Sequence, residues 1–210
     1  VGVRFYTYIS TMHYIMEACA ENDVPLIILD RPNPNGFYID GPVLKSKYKS
    51  FVGMHSVPVV HGMTIGEYAQ MVNGEKWLKD SIQCQLKVIG CKNYDHSKKY
   101  ILPVPPSPNL PNMTSVYLYP SLCFFEGTNI SVGRGTSYPF QVYGAPYLKN
   151  DTFRFTPKSS FGAKYPKHIN ANCYGKDLRD FDTTLFFKAP QLNFQWLIDA
   201  FHSSKKEPYF

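Results

Sequence analysis

Residues 24–36 read VPLIILDRPNPNG. Val24 to Leu29 is a short continuous apolar run, the pattern of a parallel strand covered on both faces, and Asp30 stands where that strand ends. Upstream, Ile9, Met12, Met16, Cys19 and Ala20 recur at helical spacing, which predicts an amphipathic helix from Tyr8 to Glu21, closed by Asn22-Asp23. Val1 to Phe5 reads as the tail of a strand. Strand, helix, strand with a right-handed crossover implies an open α/β sheet. In such sheets ligands bind outside the carboxyl ends of the strands, which makes Asp30, Arg31 and Asn33 site candidates by position. The competing reading is structural: an Asp–Arg pair and an Asx turn shaping a loop stiffened by Pro32 and Pro34.

Further along, Val57 to Val60 precede HGMTIGE, His61 to Glu67. Thr64 and Glu67 have the spacing of a capping box ahead of Ile65, Tyr68, Ala69 and Val72, so a helix starts there and Glu67 reads first as a cap. His61, just before the cap, is placed to face a pocket at the helix N-terminus. Cys84, Leu86 and Val88 alternate in a strand at about Gln83 to Gly90. Five prolines between Pro103 and Pro111 leave room for neither a helix nor a central strand. This predicts an ordered extended loop from which Ser107, Asn109 and Asn112 could reach a ligand. A short helix is expected at Thr114 to Tyr119.

Next comes FFEGTNISVGRGTSYPFQVYGAP, Phe124 to Pro146, which reads as a loop dense in polar groups. Leu122 to Phe125 looks like a buried strand from whose end the Glu126 carboxylate emerges. Gly127, Gly133 and Gly135 allow backbone angles that turn main-chain N–H groups towards a bound oxygen, and Arg134 offers a planar fork for a carboxylate or phosphate. The alternative is a tight structural loop whose arginine pairs with a neighbouring acid. Beyond it the pattern weakens: strands near Thr152 to Thr156 and Tyr174 to Leu178, then a helix from about Leu192 to Phe201, with no clear closing element in Lys205 to Phe210.

Composition narrows the function classes. With 44% apolar and 16% aromatic residues in 210, the chain is globular, and no run approaches the roughly 18 apolar residues of a membrane span. A net charge of +6 is spread as single residues and pairs such as Lys98-Lys99 and Lys205-Lys206, which argues against a nucleic-acid arm; it is compatible with an acidic substrate such as a sugar acid or a cell wall, and the competing reading is a solvated basic surface. Five cysteines at irregular spacing indicate neither a disulfide framework nor a zinc cage and read as small core hydrophobes. The six histidines are scattered, and no nucleotide, zinc-protease or nucleophile-elbow motif occurs, so neither metal nor cofactor is assigned. N-x-S/T triplets begin at Asn112, Asn129 and Asn150, a pattern frequent by chance.

Five segments occur in order: RFYTYIST (Arg4 to Thr11), LDRPNPNG (Leu29 to Gly36), FVG with HGMTIGE, PPSPNLP (Pro105 to Pro111) and FEGTNISVGRGT (Phe125 to Thr136). Together they closely resemble the exo-β-N-acetylmuramidase family once known only as a domain of unknown function, especially its gut-Bacteroidetes members. The resemblance implies an extracytoplasmic glycoside hydrolase, periplasmic or secreted, that removes N-acetylmuramic acid from the non-reducing ends of peptidoglycan fragments. It implies a partial Rossmann-like open sheet in residues 1–112, a smaller α+β C-terminal domain in 113–210, and a cleft to which the 124–146 loop contributes. Family members carry an upstream half-sheet with a Pro-Glu-His-Gly motif and a downstream aromatic and basic segment, so this sequence is expected to be cut at both ends. The resemblance makes the glutamate of that upstream motif a leading catalytic candidate; within this sequence Glu126 is the first choice for one of the two carboxyl groups a glycosidase uses, with Asp30 in reserve. On the matching motifs the resemblance assigns Arg4, Tyr6, Arg31, Asn33, His61, Glu67, Asn129, Arg134 and Thr136 to substrate binding. Muramic acid carries a lactyl carboxylate that glucosamine lacks, and a bidentate arginine is the natural selector for it. Two competing classes use the same residues: a non-catalytic wall-sugar binding module, and an anion or nucleotide site at Gly133-Arg134-Gly135.

Overall fold

The computed structural model describes residues 1–149 and 151–204; Asn150, which opens one N-x-S/T triplet, and the tail from Lys205 lie outside them. The chain is a mixed α/β protein in two compact units, Val1–Tyr100 and Ile101–Phe210.

In the first unit, helix α1 (Tyr8–Glu21) buries Ile9, Met12 and Met16 against Tyr68, Ala69 and Val72 of helix α2 (Ile65–Gly74). Strands β1 (Leu26–Leu29) and β2 (Leu86–Ile89) pair in parallel, Leu26 opposite Leu86 through to Leu29 opposite Ile89, with α2 in the connection between them. Leu26, Ile28 and Leu86 pack on the helical core, whereas Ile27 and Leu29 are 60% and 67% exposed. The expected parallel strand is therefore present, and among the described residues one of its faces is covered, because both helices pack against the same inward side chains. The opening segment also differs from expectation. Val3 makes a single antiparallel bridge to Val60, and the β-α-β unit is β1–α2–β2. The N-terminus of α2 is closed by the foreseen capping box, Thr64 Oγ1 accepting from Glu67 N and Glu67 Oε2 accepting from Thr64 N at 2.8 Å.

The second unit is built on α3 (Met113–Leu122), which starts at an Asn112–Ser115 capping box and is buried from Ser115 to Leu122. It runs directly into a 3-10 helix, Cys123–Gly127. The segment Leu122 to Phe125 is thus helical, not a strand: an apolar run buried on all sides carries no period that separates the two. Three antiparallel strands follow in the order β3 (Val142–Ala145), β5 (Cys173–Asp177), β4 (Phe153–Phe155). β3 lies inside the stretch read as loop. Its Gly144 faces Gly175 of β5, where an added Cβ would sit 1.9 Å from Tyr143 O. Phe125 stacks on Tyr143 at 4.8 Å, tying the 3-10 helix to the sheet. The unit ends with the short α4 (Leu185–Lys188), too short to show a period in the sequence, and α5 (Gln195–Ser203), whose Trp196 meets the ring of Phe181 edge-on at 5.2 Å.

Candidate functional site

Each unit gathers sequence-identified residues of its own. In the first, the loop after β1 is fastened from several sides. Asp30 Oδ1 accepts from Gly66 N at 2.8 Å and Arg31 N at 2.9 Å, and Oδ2 accepts from Thr64 Oγ1 at 2.7 Å. A carboxylate so placed sits on the positive end of α2 and joins strand to helix. Asn33 is buried, its Nδ2 donating to Met63 O at 3.0 Å and its Oδ1 accepting from Asn35 N at 2.9 Å, an Asx turn. Asn35 Nδ2 then reaches Val1 O at 2.9 Å, and Tyr94 Oη brackets the Asn33 backbone.

This bracing shapes a cavity of about 180 Å3 whose walls include Tyr6, Arg31, Asn33 and His61. His61 is buried. Met63 N donates to its Nδ1 at 3.2 Å, and burial first, with the Arg4 charge adding, lowers its pKa to about 3. It is a neutral imidazole whose proton resides on Nε2, a donor without charge. The Arg31 guanidinium makes no hydrogen bond or ion pair among the described residues. Arg4 lies elsewhere: it is buried, with Nη1 donating to the carbonyls of Val57 and Pro42. Glu67, besides capping α2, meets His96 Nε2 at 2.9 Å. Burial raises the Glu67 pKa, but the His96 and Thr64 hydrogen bonds outweigh it and the net shift is downward; the same pairing raises His96.

Sequence reasoning missed a hydrogen-bonded chain in this unit that ends at Tyr68, whose ring meets His61 edge-on at 5.0 Å. Glu17 Oε1, His13 Nε2, His13 Nδ1, His55 Nε2, His55 Nδ1 and Tyr68 Oη follow one another at 3.0 Å per link. A carboxylate only accepts, so His13 Nε2–H donates to Glu17, and the order that satisfies the remaining links has His55 Nε2–H donating to His13 and Tyr68 O–H donating to His55. His55 stacks on Trp77 at 5.3 Å, and burial, ahead of the His13 and Lys49 charges, lowers its pKa to about 4. Nothing in the spacing of residues 13 and 55 signals this pairing.

In the second unit, Arg134 Nε and Nη2 both donate to Glu126 Oε1, at 2.9 and 2.6 Å. Glu126 Oε2 has no partner among the described residues. Arg134 also lies over the Phe140 ring at 5.0 Å. Beneath this pair, Lys167 Nζ donates to Phe125 O at 3.0 Å, Glu126 O at 2.9 Å and Thr128 O, a cage that gathers the carbonyl end of the 3-10 helix. Burial lowers the Lys167 pKa, Glu126 opposing the shift and Arg134 adding to it. His168 Nε2 is 2.6 Å from Asn129 O. The Asn129 amide itself makes no hydrogen bond among the described residues. Thr136 is occupied within the turn, donating to Gly133 O at 2.6 Å and accepting from Tyr138 N. Gly133 and Gly135 have φ of +76° and +82°, and a Cβ at Gly135 would lie 2.4 Å from Lys158 O.

These motifs have counterparts in known proteins. The N-terminal domain model of the exo-beta-N-acetylmuramidase NamZ matches residues 1–114, and the C-terminal domain model matches 117–208. The chain belongs to the NamZ family. The peptidoglycan beta-N-acetylmuramidase NamZ of Bacillus subtilis strain 168 is 44% identical over 194 residues, 85% of this chain and 46% of that protein. The chain thus spans about half the length of that relative. A crystal structure of a DUF1343 family protein from Bacteroides fragilis NCTC 9343 superposes with a TM-score of 0.95 at 54% identity, covering 99% of this chain and 59% of that one. A second such protein from the same strain gives 0.73 at 31% identity, covering 88% and 52%.

Proposed function

We propose that this chain is part of a glycoside hydrolase that releases N-acetylmuramic acid from the non-reducing ends of peptidoglycan fragments, outside the cytoplasm where that polymer lies. Membership of the NamZ family supports the substrate. The geometric observation that carries the reading is the Glu126 carboxylate, oriented through Oε1 by the Arg134 fork while Oε2 stays open. Most glycosidases work with two carboxyl groups flanking the scissile bond, and Glu126 is the one we assign within this chain. Asp30, with both oxygens bonded to the start of α2, holds the loop that carries Arg31 and Asn33.

Of the three arginines in family motifs, Arg4 is buried on backbone carbonyls and Arg134 orients Glu126. Arg31 keeps a guanidinium without a partner among the described residues. It is the arginine we assign to the lactyl carboxylate. At the level of fold, the parallel pair β1–β2 with α2 between supports a Rossmann-like open sheet of which these strands are the later part.

The test uses the full-length protein carrying Glu126→Gln or Arg31→Lys, assayed on matched muramic and glucosamine chromogenic glycosides. Glu126→Gln is expected to keep the melting temperature and lower turnover by ~10²-fold or more. Arg31→Lys keeps charge but loses the fork, so it lowers kcat/KM on the muramic compound far more than on the other. Equal loss on both sugars removes the assignment of Arg31. Sugar binding with no turnover by the unmodified full-length protein would replace the hydrolase with a wall-sugar binding module.

A further inference from the structure

Between Thr152 and Lys176 the chain contains no aspartate or glutamate, but it contains Arg154, Lys158, Lys164, Lys167 and Lys176. In the middle of this run Ser160 and Ala163 pair in a tight hairpin, N–H to O at 3.0 and 3.1 Å, with Phe161 at its tip. Phe161 is 98% exposed and Tyr165, four residues on, is 83% exposed. Rings this bare on a globular unit mark a contact surface when they are held in place rather than trailing in a loose loop.

They are held in place. Asn109 Nδ2 donates to Gly162 O at 2.6 Å, and a Cβ on Gly162 would lie 2.8 Å from Pro108, so the tip is pressed on the stiff proline-rich loop. On the other side Lys158 N donates to Gly135 O at 2.8 Å, and Pro166 closes over the same glycine. Gly135 directly follows Arg134. The hairpin therefore adjoins the loop that bears the open Glu126 carboxylate, and Lys167 at its end cages that loop's carbonyls. The Lys164 ammonium lies 5.7 Å from the Tyr165 ring centroid, and neither Lys158 nor Lys164 makes an ion pair among the described residues.

We propose that Phe161, Tyr165, Lys158 and Lys164 form a subsite for the continuing glycan of an extended, carboxylate-bearing wall saccharide, beyond the sugar that meets Glu126. This rests on the muramidase reading for the nature of the ligand. The chemistry fits each part. Pyranose rings present apolar C–H faces that pack on aromatic rings, and lactyl or stem-peptide carboxylates along the chain meet the unpaired ammonium groups. A hairpin clamped at both flanks loses little freedom on binding, so the contact is preorganised. An anionic lipid surface is the competing occupant of a basic, aromatic patch. A glycan is favoured because the rings adjoin the Glu126 loop and because the patch offers two rings rather than an amphipathic helix face.

The experiment compares the full-length protein with a Phe161→Ala/Tyr165→Ala variant and a Lys158→Gln/Lys164→Gln variant. Each is measured on a single-sugar chromogenic muramoside, on peptidoglycan oligosaccharides of increasing length, and by co-sedimentation with purified glycan strands or with anionic phospholipid vesicles. The expected result is unchanged kcat/KM on the single sugar, about a tenfold loss on the long oligosaccharides carried mainly by KM, and weaker glycan co-sedimentation. Losses equal on short and long substrates, or no loss on long ones, overturn the subsite. Unaltered glycan binding with lost vesicle binding assigns the patch to lipid instead. Glycan co-sedimentation needs no turnover, so if no preparation hydrolyses any substrate yet the variants bind glycan less, the muramidase reading fails while the subsite stands.

Discussion

Replacing Asp30 by asparagine separates a structural carboxylate from a reacting one. Asparagine can still accept from Gly66 N and Arg31 N through its single carbonyl oxygen. Its amide nitrogen then faces Thr64 Oγ1, whose hydroxyl hydrogen loses the carboxylate oxygen it donates to. One hydrogen bond to a charged acceptor is lost, about 1.5–3 kcal/mol, and so is the negative charge at the N-terminus of α2, about 0.3–1 kcal/mol. The sum is about 2–4 kcal/mol. For a unit of this size each kcal/mol moves the melting temperature by about 4–8 °C, so Asp30→Asn should lower it by about 10 °C or more. Turnover measured well below the new transition should stay within a few-fold of the parent. Calorimetry and a full-length activity assay at low temperature read both quantities. A melting temperature unchanged to within about 2 °C, with turnover down ~10²-fold, would refute this reasoning and make Asp30 the reacting group.

Other expectations concern the same framework. His55, with a folded pKa lowered from 6.5 to about 4, stays neutral while the unfolded chain takes up a proton, so its contribution is full above about pH 6.5 and falls as pH drops towards 4. The loss is on the order of 3 kcal/mol, visible as a drop in the urea midpoint between pH 7.5 and 4.5 that His55→Gln flattens. Gly66→Ala would gain about 1 kcal/mol of helix propensity on an open helix, but here the Cβ lies 2.6 Å from Val88 Cγ1 and 2.8 Å from Asp30 Cγ. Overpacking of about 1–3 kcal/mol should win, and a stabilised variant in thermal melts would contradict the packing described. Lys167→Met removes the donor shared by the carbonyls of Glu126 and Thr128, while Phe125 O keeps Thr128 N and Thr128 Oγ1. A cost of about 2–3 kcal/mol is expected, with faster amide exchange across residues 125–130; unchanged exchange there would argue against the cage.

What the sequence made legible was local. The α2 capping box needs only Thr64 and Glu67 at the right spacing, and α1 only its periodic Ile9, Met12 and Met16. The parallel pairing of β1 followed from its unbroken apolar run, but coverage depends on which helices lie on which side, and no strand encodes that. β3 escaped because its Gly144 and the flanking Pro146 are the residues of loops; in the fold Gly144 is required by the close approach of the Tyr174 carbonyl, 2.3 Å from where a Cβ would sit. The structural alternative for Arg134, pairing with a neighbouring acid, is the arrangement found, with Glu126 as the acid. The Lys167 cage and the His13–His55 link join positions about 40 residues apart through carbonyls and ring nitrogens, groups that carry no periodic signature.

The two tryptophans of the chain fall one to each unit, Trp77 against His55 and Trp196 against Phe181. This gives the protein a built-in pair of optical reporters. An imidazolium stacked on an indole quenches its emission while a phenyl ring does not, so acidification should dim Trp77 as His55 takes its proton and leave Trp196 bright. Replacing either indole by phenylalanine isolates the other signal, and the order in which the two halves come apart can then be followed by light alone.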